Sequence, residues 1–234
     1  MRRLRRGPGP PENGHYEVVL ALLVAGYLAS ALASSTWVSV LTLLLYVGAL
    51  VLAIRAARLG GTQVWALRIA LTVGSVATLA VLVTGAGNEV RGTASLWLAL
   101  VLGATVVLVV RHILRHPVVT LQTIAGALSA YLLIGLMFAE IYTSMSRLGT
   151  SPFFAGGQLP EPATVQYFSF TTLTTLGYGD FTAAHNAGRA VAVLEALLGQ
   201  IFLVTLVARL VSNFGSTTER ATPREEEPDR LDGE

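Results

Sequence analysis

The sequence TTLTTLGYGD at residues 171–180 decides the fold class of this chain. Threonines lead into two glycines that flank one tyrosine, and an aspartate closes the stretch. Successive carbonyls of an ordinary strand point to opposite sides, so aiming several of them at one side requires unusual backbone dihedrals. Gly177 and Gly179 permit those dihedrals, because glycine enters the positive-φ region at little steric cost. The two glycines therefore make an unusual backbone conformation accessible to this stretch.

Two commoner explanations compete for the Gly-x-Gly pattern. The dinucleotide-binding fingerprint needs a third glycine that opens a helix, and no glycine stands at that spacing after Gly179. An ordinary turn remains the alternative. A short helix candidate before the stretch and apolar segments on both sides favour a specialised backbone segment over a turn.

Composition indicates a membrane protein. Hydrophobic residues make up 53% of the chain and charged residues 13%, which lies outside the usual range of soluble domains. A helix needs about 20 apolar residues to cross roughly 30 Å of hydrocarbon. Six stretches come near that length, although the fourth is short: 16–33, 38–54, 64–83, 96–110, 118–145 and 190–214. We therefore predict an all-α membrane protein with six transmembrane helices.

The arginines predict the orientation of these helices. All 16 basic residues are arginine, and most of them lie at the N-terminus, in every second connection and after the last span. These are Arg2, Arg3, Arg5, Arg6, Arg55, Arg58, Arg68, Arg111, Arg115, Arg209, Arg220 and Arg224. An excess of basic residues marks cytoplasmic segments, so both termini are predicted to be cytoplasmic. A cleavable signal peptide is the alternative for the N-terminal segment, although its apolar run is long for one.

The residue inventory excludes several chemistries. The chain has no cysteine, so it offers no disulfide, thiolate metal site or cysteine nucleophile. No nucleophile–base pair, metal cluster or phosphate-binding loop is visible in the sequence. The sequence therefore does not indicate an enzyme.

The stretch 171–180 closely resembles the selectivity filter of potassium channels, where the usual order is Thr-Val/Ile/Leu-Gly-Tyr-Gly-Asp. In that family, backbone carbonyls replace the water shell of a dehydrated potassium ion without adding net charge. The resemblance implies permeant K⁺ and no organic cofactor. It implies that the filter residues are Thr175, Leu176, Gly177, Tyr178 and Gly179, with K⁺ bound at the first four.

The resemblance also implies roles around the filter. Asp180 either stands at the outer mouth or forms a hydrogen bond behind the filter. Phe168, Thr171 and Thr174 are the expected support residues. Many family members carry a Glu where this chain has Thr171, and the Trp often found near the start of the pore helix is replaced by Tyr167 and Phe168. These departures leave the rigidity of the filter open.

Residues 116–214 resemble the pore domain of this family. Residues 146–163 are rich in Gly, Pro and polar residues and are predicted to be an extracellular loop. Residues 164–174 are predicted to be a pore helix that covers about half of the bilayer, and the extended filter returns over the other half. One filter per chain cannot form a ring, so the resemblance implies a homotetramer with cyclic symmetry.

The last span resembles the inner helix of the family. Gly199 lies where relatives have a glycine that serves as a gating hinge. A glycine weakens a helix by roughly 1 kcal/mol relative to Ala, so the helix could bend at this position. Close helix packing is an equal alternative for Gly199. Glu195, four residues earlier on the same face, is an ionisable group deep in an apolar span and hence a functional candidate, with a structural hydrogen bond as the alternative. Gln200 is a candidate for lining the cavity.

Residues 16–115 occupy the position of a voltage sensor but lack its arginine repeat. The fourth span, 96–110, carries no charge, and Arg111 and Arg115 follow only at its inner end. Moving one charge through 100 mV yields about 2.3 kcal/mol, and steep gating uses three or four charges per subunit. Weak or absent voltage dependence is therefore expected.

The remaining segments are expected to be cytoplasmic: residues 1–15, and residues 215–234 as a disordered acidic tail. The tail is too short for a nucleotide-binding or ion-sensing domain, so such control would require an unidentified cytoplasmic regulator. His112 and His116, four residues apart, are more commonly interfacial cations, with a metal or pH-sensing pair as the alternative.

The sequence thus predicts a potassium-selective channel subunit that conducts passively through a tetrameric pore in a lipid membrane. The use of arginine to the exclusion of lysine and the small size favour a bacterial plasma (inner) membrane. Nucleic acid is not an expected partner. Two alternatives stay open: a non-selective cation channel, and a non-conducting membrane scaffold or regulatory subunit that retains the filter as packing.

Overall fold

The computed structural model describes residues 16–32, 36–56, 62–84, 87–115 and 120–218. Within these ranges the chain is helical apart from the connections, with no named strand. Its seven helices are α1 (Tyr16–Leu32), α2 (Thr36–Ala56), α3 (Thr62–Thr84), α4 (Asn88–Arg115), α5 (Leu121–Leu148), α6 (Pro162–Leu173) and α7 (Asn186–Thr218). The all-α prediction is confirmed for this part of the chain. The N-terminal segment, the acidic tail and His116 lie outside the described residues.

Each predicted apolar stretch coincides with a helix, and the predicted pore helix is α6. Several boundaries differ from the prediction. α6 begins at Pro162 instead of residue 164, and α7 (Asn186–Thr218) extends past both ends of the predicted stretch 190–214, into the first residues of the predicted tail. The fourth stretch was expected at 96–110, but α4 extends beyond it at both ends because polar residues continue the helix there. The loop expected from residue 146 begins later, since α5 continues to Leu148 and ends at Gly149, whose N–H donates to the Met145 carbonyl.

In the part of the chain that the structure describes, three helices are long and apolar enough to cross a membrane by length and composition: Asn88–Leu114, Leu121–Leu148 and Asn186–Arg209. The apolar parts of the first three helices are shorter, at Tyr16–Leu32, Val40–Ala53 and Thr72–Val81. Six transmembrane helices therefore remain a prediction.

The short helix α6 has clear start and stop signals. Pro162 occupies its first turn, where the missing N–H costs nothing and the fixed φ already suits a helix. Glu161 is the N-cap residue in an extended conformation. At the other end, the Thr174 N–H donates to the Phe170 carbonyl, and the chain then leaves the helix. The sequence after α6 is thus released as extended chain.

Among the first four helices, α1 and α4 pack against the second half of the same chain. α4 lies along α5, and α1 contacts α2, α5 and α6. The core between them contains Val19 and Leu23 of α1, Leu50 of α2, and Leu133 of α5, all nearly inaccessible to solvent. The side chains of Ser30 in α1 and Gln166 in α6 are also hydrogen-bonded to each other. α1 therefore reaches the helix that precedes the predicted filter.

An aromatic cluster packs the loop before α6 against the loop that follows the predicted filter. Phe154 packs edge-on against Phe153, Phe168 and Phe181, with ring centroids 5.0–5.5 Å apart. The backbone adds an isolated antiparallel bridge between Phe154 and Ala183. Because Phe154 is 1% exposed, this cluster fixes the connection that follows the filter.

Replacing Phe154 with Ala should lower the free energy of unfolding by roughly 3–5 kcal/mol, because the truncation leaves a cavity among three aromatic rings. Thermal unfolding in detergent measures the change. Leu159→Ala is the matched control, since Leu159 lies in the same loop and is 73% exposed. Equal midpoints for the two variants would contradict a structural role for the cluster.

Candidate functional site

The segment 175–179 has a backbone in which the sign of φ alternates. Thr175, Gly177 and Gly179 have φ of +57°, +47° and +82°, whereas the two residues between them have negative φ. Such alternation aligns successive peptide groups instead of turning them to opposite sides. Gly177 and Gly179 thus adopt the positive φ that the sequence led us to expect of them. The left-handed Thr175 is a strained position that sequence reasoning missed, because a β-branched residue rarely adopts it.

The C-terminal end of α6 holds this segment through backbone hydrogen bonds. The Gly177 N–H donates to the Thr171 carbonyl at 3.1 Å, and the Thr175 N–H donates to the Thr172 carbonyl at 2.9 Å. The hydroxyls of Thr171 and Thr174 instead donate to carbonyls of their own helix, at 2.9 Å and 2.7 Å. Thr171 therefore supports the segment through its carbonyl, and neither hydroxyl contacts it.

Helix α7 supports the same region from behind. The Gln200 side-chain amide donates to the Thr175 hydroxyl at 3.1 Å. A β-carbon placed on Gly199 would overlap the Leu173 carbonyl oxygen and lie 2.9 Å from Leu173 Cδ1. Gly199 thus lets α7 approach the end of α6 closely. The contact accounts for a glycine at this position, and the gating hinge stays a prediction.

Glu195 lies one helical turn before Gly199 and is fully buried. The Tyr142 hydroxyl of α5 donates to Glu195 Oε2 at 2.6 Å. The Ser169 hydroxyl of α6 lies 2.6 Å from Glu195 Oε1 and 2.7 Å from the Gly135 carbonyl oxygen. One carboxyl group therefore joins α5, α6 and α7 beside the filter. Its partners carried no signal in the sequence, because they lie on other helices.

Asp180 is held on the side of α6. Its Oδ1 accepts from the Phe181 N–H at 3.1 Å, and the Tyr167 ring of α6 packs edge-on against the Phe181 ring. Its carbonyl accepts from the Gln158 amide at 3.3 Å. Tyr167 of the pore helix therefore lies near Asp180 through its contact with Phe181, while Thr171 stands where the usual Glu would be.

The side chains of the segment itself have little packing within the chain. Leu176 is 53% exposed and Tyr178 is 69% exposed. Within one chain, therefore, neither side chain is packed behind the filter. Phe168, in contrast, is buried in the aromatic cluster against Tyr142, Phe153 and Phe154. Its support for the segment is indirect.

The chain is similar to ion channels in this region. The family described as "Ion channel" matches residues 128–215, from α5 to the last part of α7. A segment of 100 residues is 28% identical to "Potassium voltage-gated channel subfamily A member 10" of Mus musculus, and it covers 41% of this chain. The match spans 20% of the length of that relative. No solved structure matches the chain.

The matched residues include the filter segment, the helix α6 before it, and most of α5 and α7. The region is thus similar to ion channels. Together with the similarity to a voltage-gated potassium channel, this supports the potassium channel family for the chain.

Gly199→Ala should destabilise the protein by roughly 1–3 kcal/mol, because a methyl group must displace the end of α6. Thermal unfolding in detergent measures the effect. Gly48→Ala is the matched control, since a β-carbon on Gly48 meets only Leu22 Cδ1 at 3.8 Å and the helix gains up to about 1 kcal/mol. If Gly199→Ala were as stable as Gly48→Ala, close packing would not explain the glycine.

Proposed function

We propose that this chain is one subunit of a potassium-selective channel that conducts K⁺ passively through a tetrameric pore. The observation that carries the proposal is the alternating sign of φ over residues 175–179 in the order TLGYG. This backbone offers a row of carbonyl oxygens and the Thr175 hydroxyl, which are the neutral oxygen ligands that can replace the hydration shell of K⁺. K⁺ is the transported ion at Thr175, Leu176, Gly177 and Tyr178.

The exposure of the filter segment and of α7 in a single chain supports a homotetramer. Non-helical backbone is tolerated at membrane depth only where it is buried in protein or lines a water-filled cavity. Leu176 and Tyr178 face outward, and α7 has a broad exposed apolar face opposite Glu195 and Gly199. That face includes Val193, Leu197, Ile201, Val204, Val207 and Val211. Three further copies would cover part of this face and complete the carbonyl rings.

The position of the tetramer in a membrane also belongs to the proposal. Six spans per chain, cytoplasmic termini and a bacterial plasma membrane agree with the arginine distribution. α6 would enter the membrane with its C-terminal end toward the centre, where its dipole favours a cation. Asp180 and Tyr167 would then lie near the outer mouth.

A non-selective cation channel is the second candidate, and the structure contains one observation in its favour. Thr171 stands where relatives have a Glu that braces the filter, and its hydroxyl bonds to its own helix. The hydrogen bond that the structure gives to the Asp180 side chain comes from the adjacent Phe181 N–H. With fewer hydrogen bonds from the pore helix to hold it in place, the filter would adapt to Na⁺ as well as K⁺.

Gly177→Ala should abolish potassium selectivity, because an L-residue with a side chain rarely adopts the φ of +47° found here. The measurement is the reversal potential of the purified protein in a planar bilayer with K⁺ on one side and Na⁺ on the other. Wild type should reverse near the K⁺ equilibrium potential, and Gly177→Ala should conduct less or reverse near zero.

Gly157→Ala is the matched control for this experiment. Gly157 also has positive φ, at +70°, but it lies in the loop before α6. It should therefore carry similar backbone strain and keep selectivity. A wild-type reversal near zero would favour the non-selective candidate. Selectivity retained in Gly177→Ala would contradict the assignment of the filter.

The conductance should depend weakly on voltage, because α4 has no charged residue between Arg91 and Arg111. Arg111 lies near the end of α4 and is exposed, so it can reach the membrane interface without crossing the field. Arg111→Gln should leave the slope of the conductance–voltage curve unchanged in bilayer recordings. A steep wild-type curve that flattens in Arg111→Gln would contradict this interpretation.

A further inference from the structure

The short hydrogen bonds around Glu195, Tyr142 and Ser169 require a definite number of protons. Three oxygen pairs lie at 2.6–2.7 Å: Tyr142 with Glu195 Oε2, Ser169 with Glu195 Oε1, and Ser169 with the Gly135 carbonyl. Oxygen pairs at such distances are held together by a shared proton. A serine hydroxyl has one proton to donate, and a carbonyl has none.

An ionised Glu195 cannot satisfy all three pairs. The Tyr142 and Ser169 hydroxyls would supply two protons, and one of the two pairs at Ser169 would bring two lone pairs together. A protonated Glu195 supplies the third proton. Its hydroxyl then donates to Ser169, Ser169 donates to the Gly135 carbonyl, and Tyr142 donates to the other carboxyl oxygen. Each short contact then holds one proton.

The charges around Glu195 lead to the same conclusion. The titratable groups that face it are Tyr142 and Tyr131 of α5, and α6 presents the Ser169 hydroxyl. The hydrogen bonds that the structure gives to this carboxyl group come from the hydroxyls of Tyr142 and Ser169. A buried carboxylate without a cation is strongly disfavoured, whereas a neutral carboxylic acid with all its hydrogen bonds made is tolerated.

We propose that Glu195 is a neutral carboxylic acid that positions the pore helix α6, and with it the filter, against the inner helix α7. The proposal rests on the proposed conduction of K⁺ for its effect on flux. Ionisation takes away the proton between Glu195 and Ser169, so Ser169 can bond either to Glu195 or to Gly135 but not to both. The link between α5, α6 and α7 is then incomplete.

The effect reaches the filter over a short distance. Ser169 and Leu173 are four residues apart on α6, and Glu195 and Gly199 are four residues apart on α7, so the two helices meet at two successive points. Thr171, between the two α6 positions, accepts the hydrogen bond from Gly177. A shift of α6 at Ser169 therefore moves the carbonyl that holds the filter.

Infrared spectroscopy tests the protonation of Glu195 without any need for conduction. The difference spectrum between wild type and Glu195→Gln, in lipid at neutral pH, should show the carbonyl stretch of a protonated carboxylic acid. Glu140→Gln is the matched control, since Glu140 is a second carboxyl group on α5, partly exposed in a cavity between the helices. It should leave the Glu195 band in place. A wild-type spectrum without a band assignable to Glu195 would overturn the proposal.

Potassium flux into liposomes tests the positioning role. A glutamine can accept from Tyr142 and donate to Ser169, so Glu195→Gln should retain wild-type flux and selectivity. Glu195→Ala should lower the flux at least about tenfold, the scale expected when buried hydrogen bonds lose a partner. Wild-type flux should fall as the pH is raised until Glu195 ionises, in step with loss of the infrared band, and Glu195→Gln should lose this pH dependence.

The two measurements separate the possible failures. If Glu195→Gln keeps the alkaline loss of flux, another group is responsible and the positioning role is wrong. The role is also wrong if Glu195→Gln is as impaired as Glu195→Ala while it still assembles with the wild-type mass. A silent wild-type protein with the infrared band intact would refute conduction and leave the protonated contact standing.

Discussion

The structure depends on the backbone of residues 175–179, which has to stay in a conformation that it does not hold by itself. Three of its five residues have positive φ, and one of them is a threonine. No ladder of strand hydrogen bonds fixes this segment. Its shape is fixed instead by its attachment to the end of α6 and by the side chain of Gln200. The surrounding helices can be understood as the support for these five residues.

That support combines two kinds of contact between α6 and α7. At Ser169 and Glu195 the helices are joined by short hydrogen bonds, which fix direction. At Leu173 and Gly199 they are joined by close packing, which fixes distance. The two contacts lie one helical turn apart on each helix, so α6 can neither slide nor rotate without breaking one of them. Tyr131 adds a hydrogen bond from α5 to the Leu173 carbonyl at 3.3 Å.

The sequence was sufficient for features that depend on local pattern. The apolar stretches predicted the helices, residues 164–174 were predicted as the pore helix, and Gly177 and Gly179 marked the positions of unusual φ. It was insufficient where a residue depends on partners far along the chain. Glu195 was recognised as unusual, but Tyr142 and Ser169 stand 53 and 26 residues away from it. The positive φ of Thr175 left no sign in a sequence where threonine is common.

Gly199 shows why a position can be recognised from sequence while its role is not. A glycine in the middle of an apolar helix weakens the helix, and it also removes a side chain from a contact. The first property favours a hinge and the second favours close packing, and both require the same residue. Only the neighbouring helix distinguishes them, because the Leu173 carbonyl occupies the space that a β-carbon would need. Bending α7 at Gly199 would change the distance to that carbonyl, so in this chain a hinge at this position could not move independently of the end of α6.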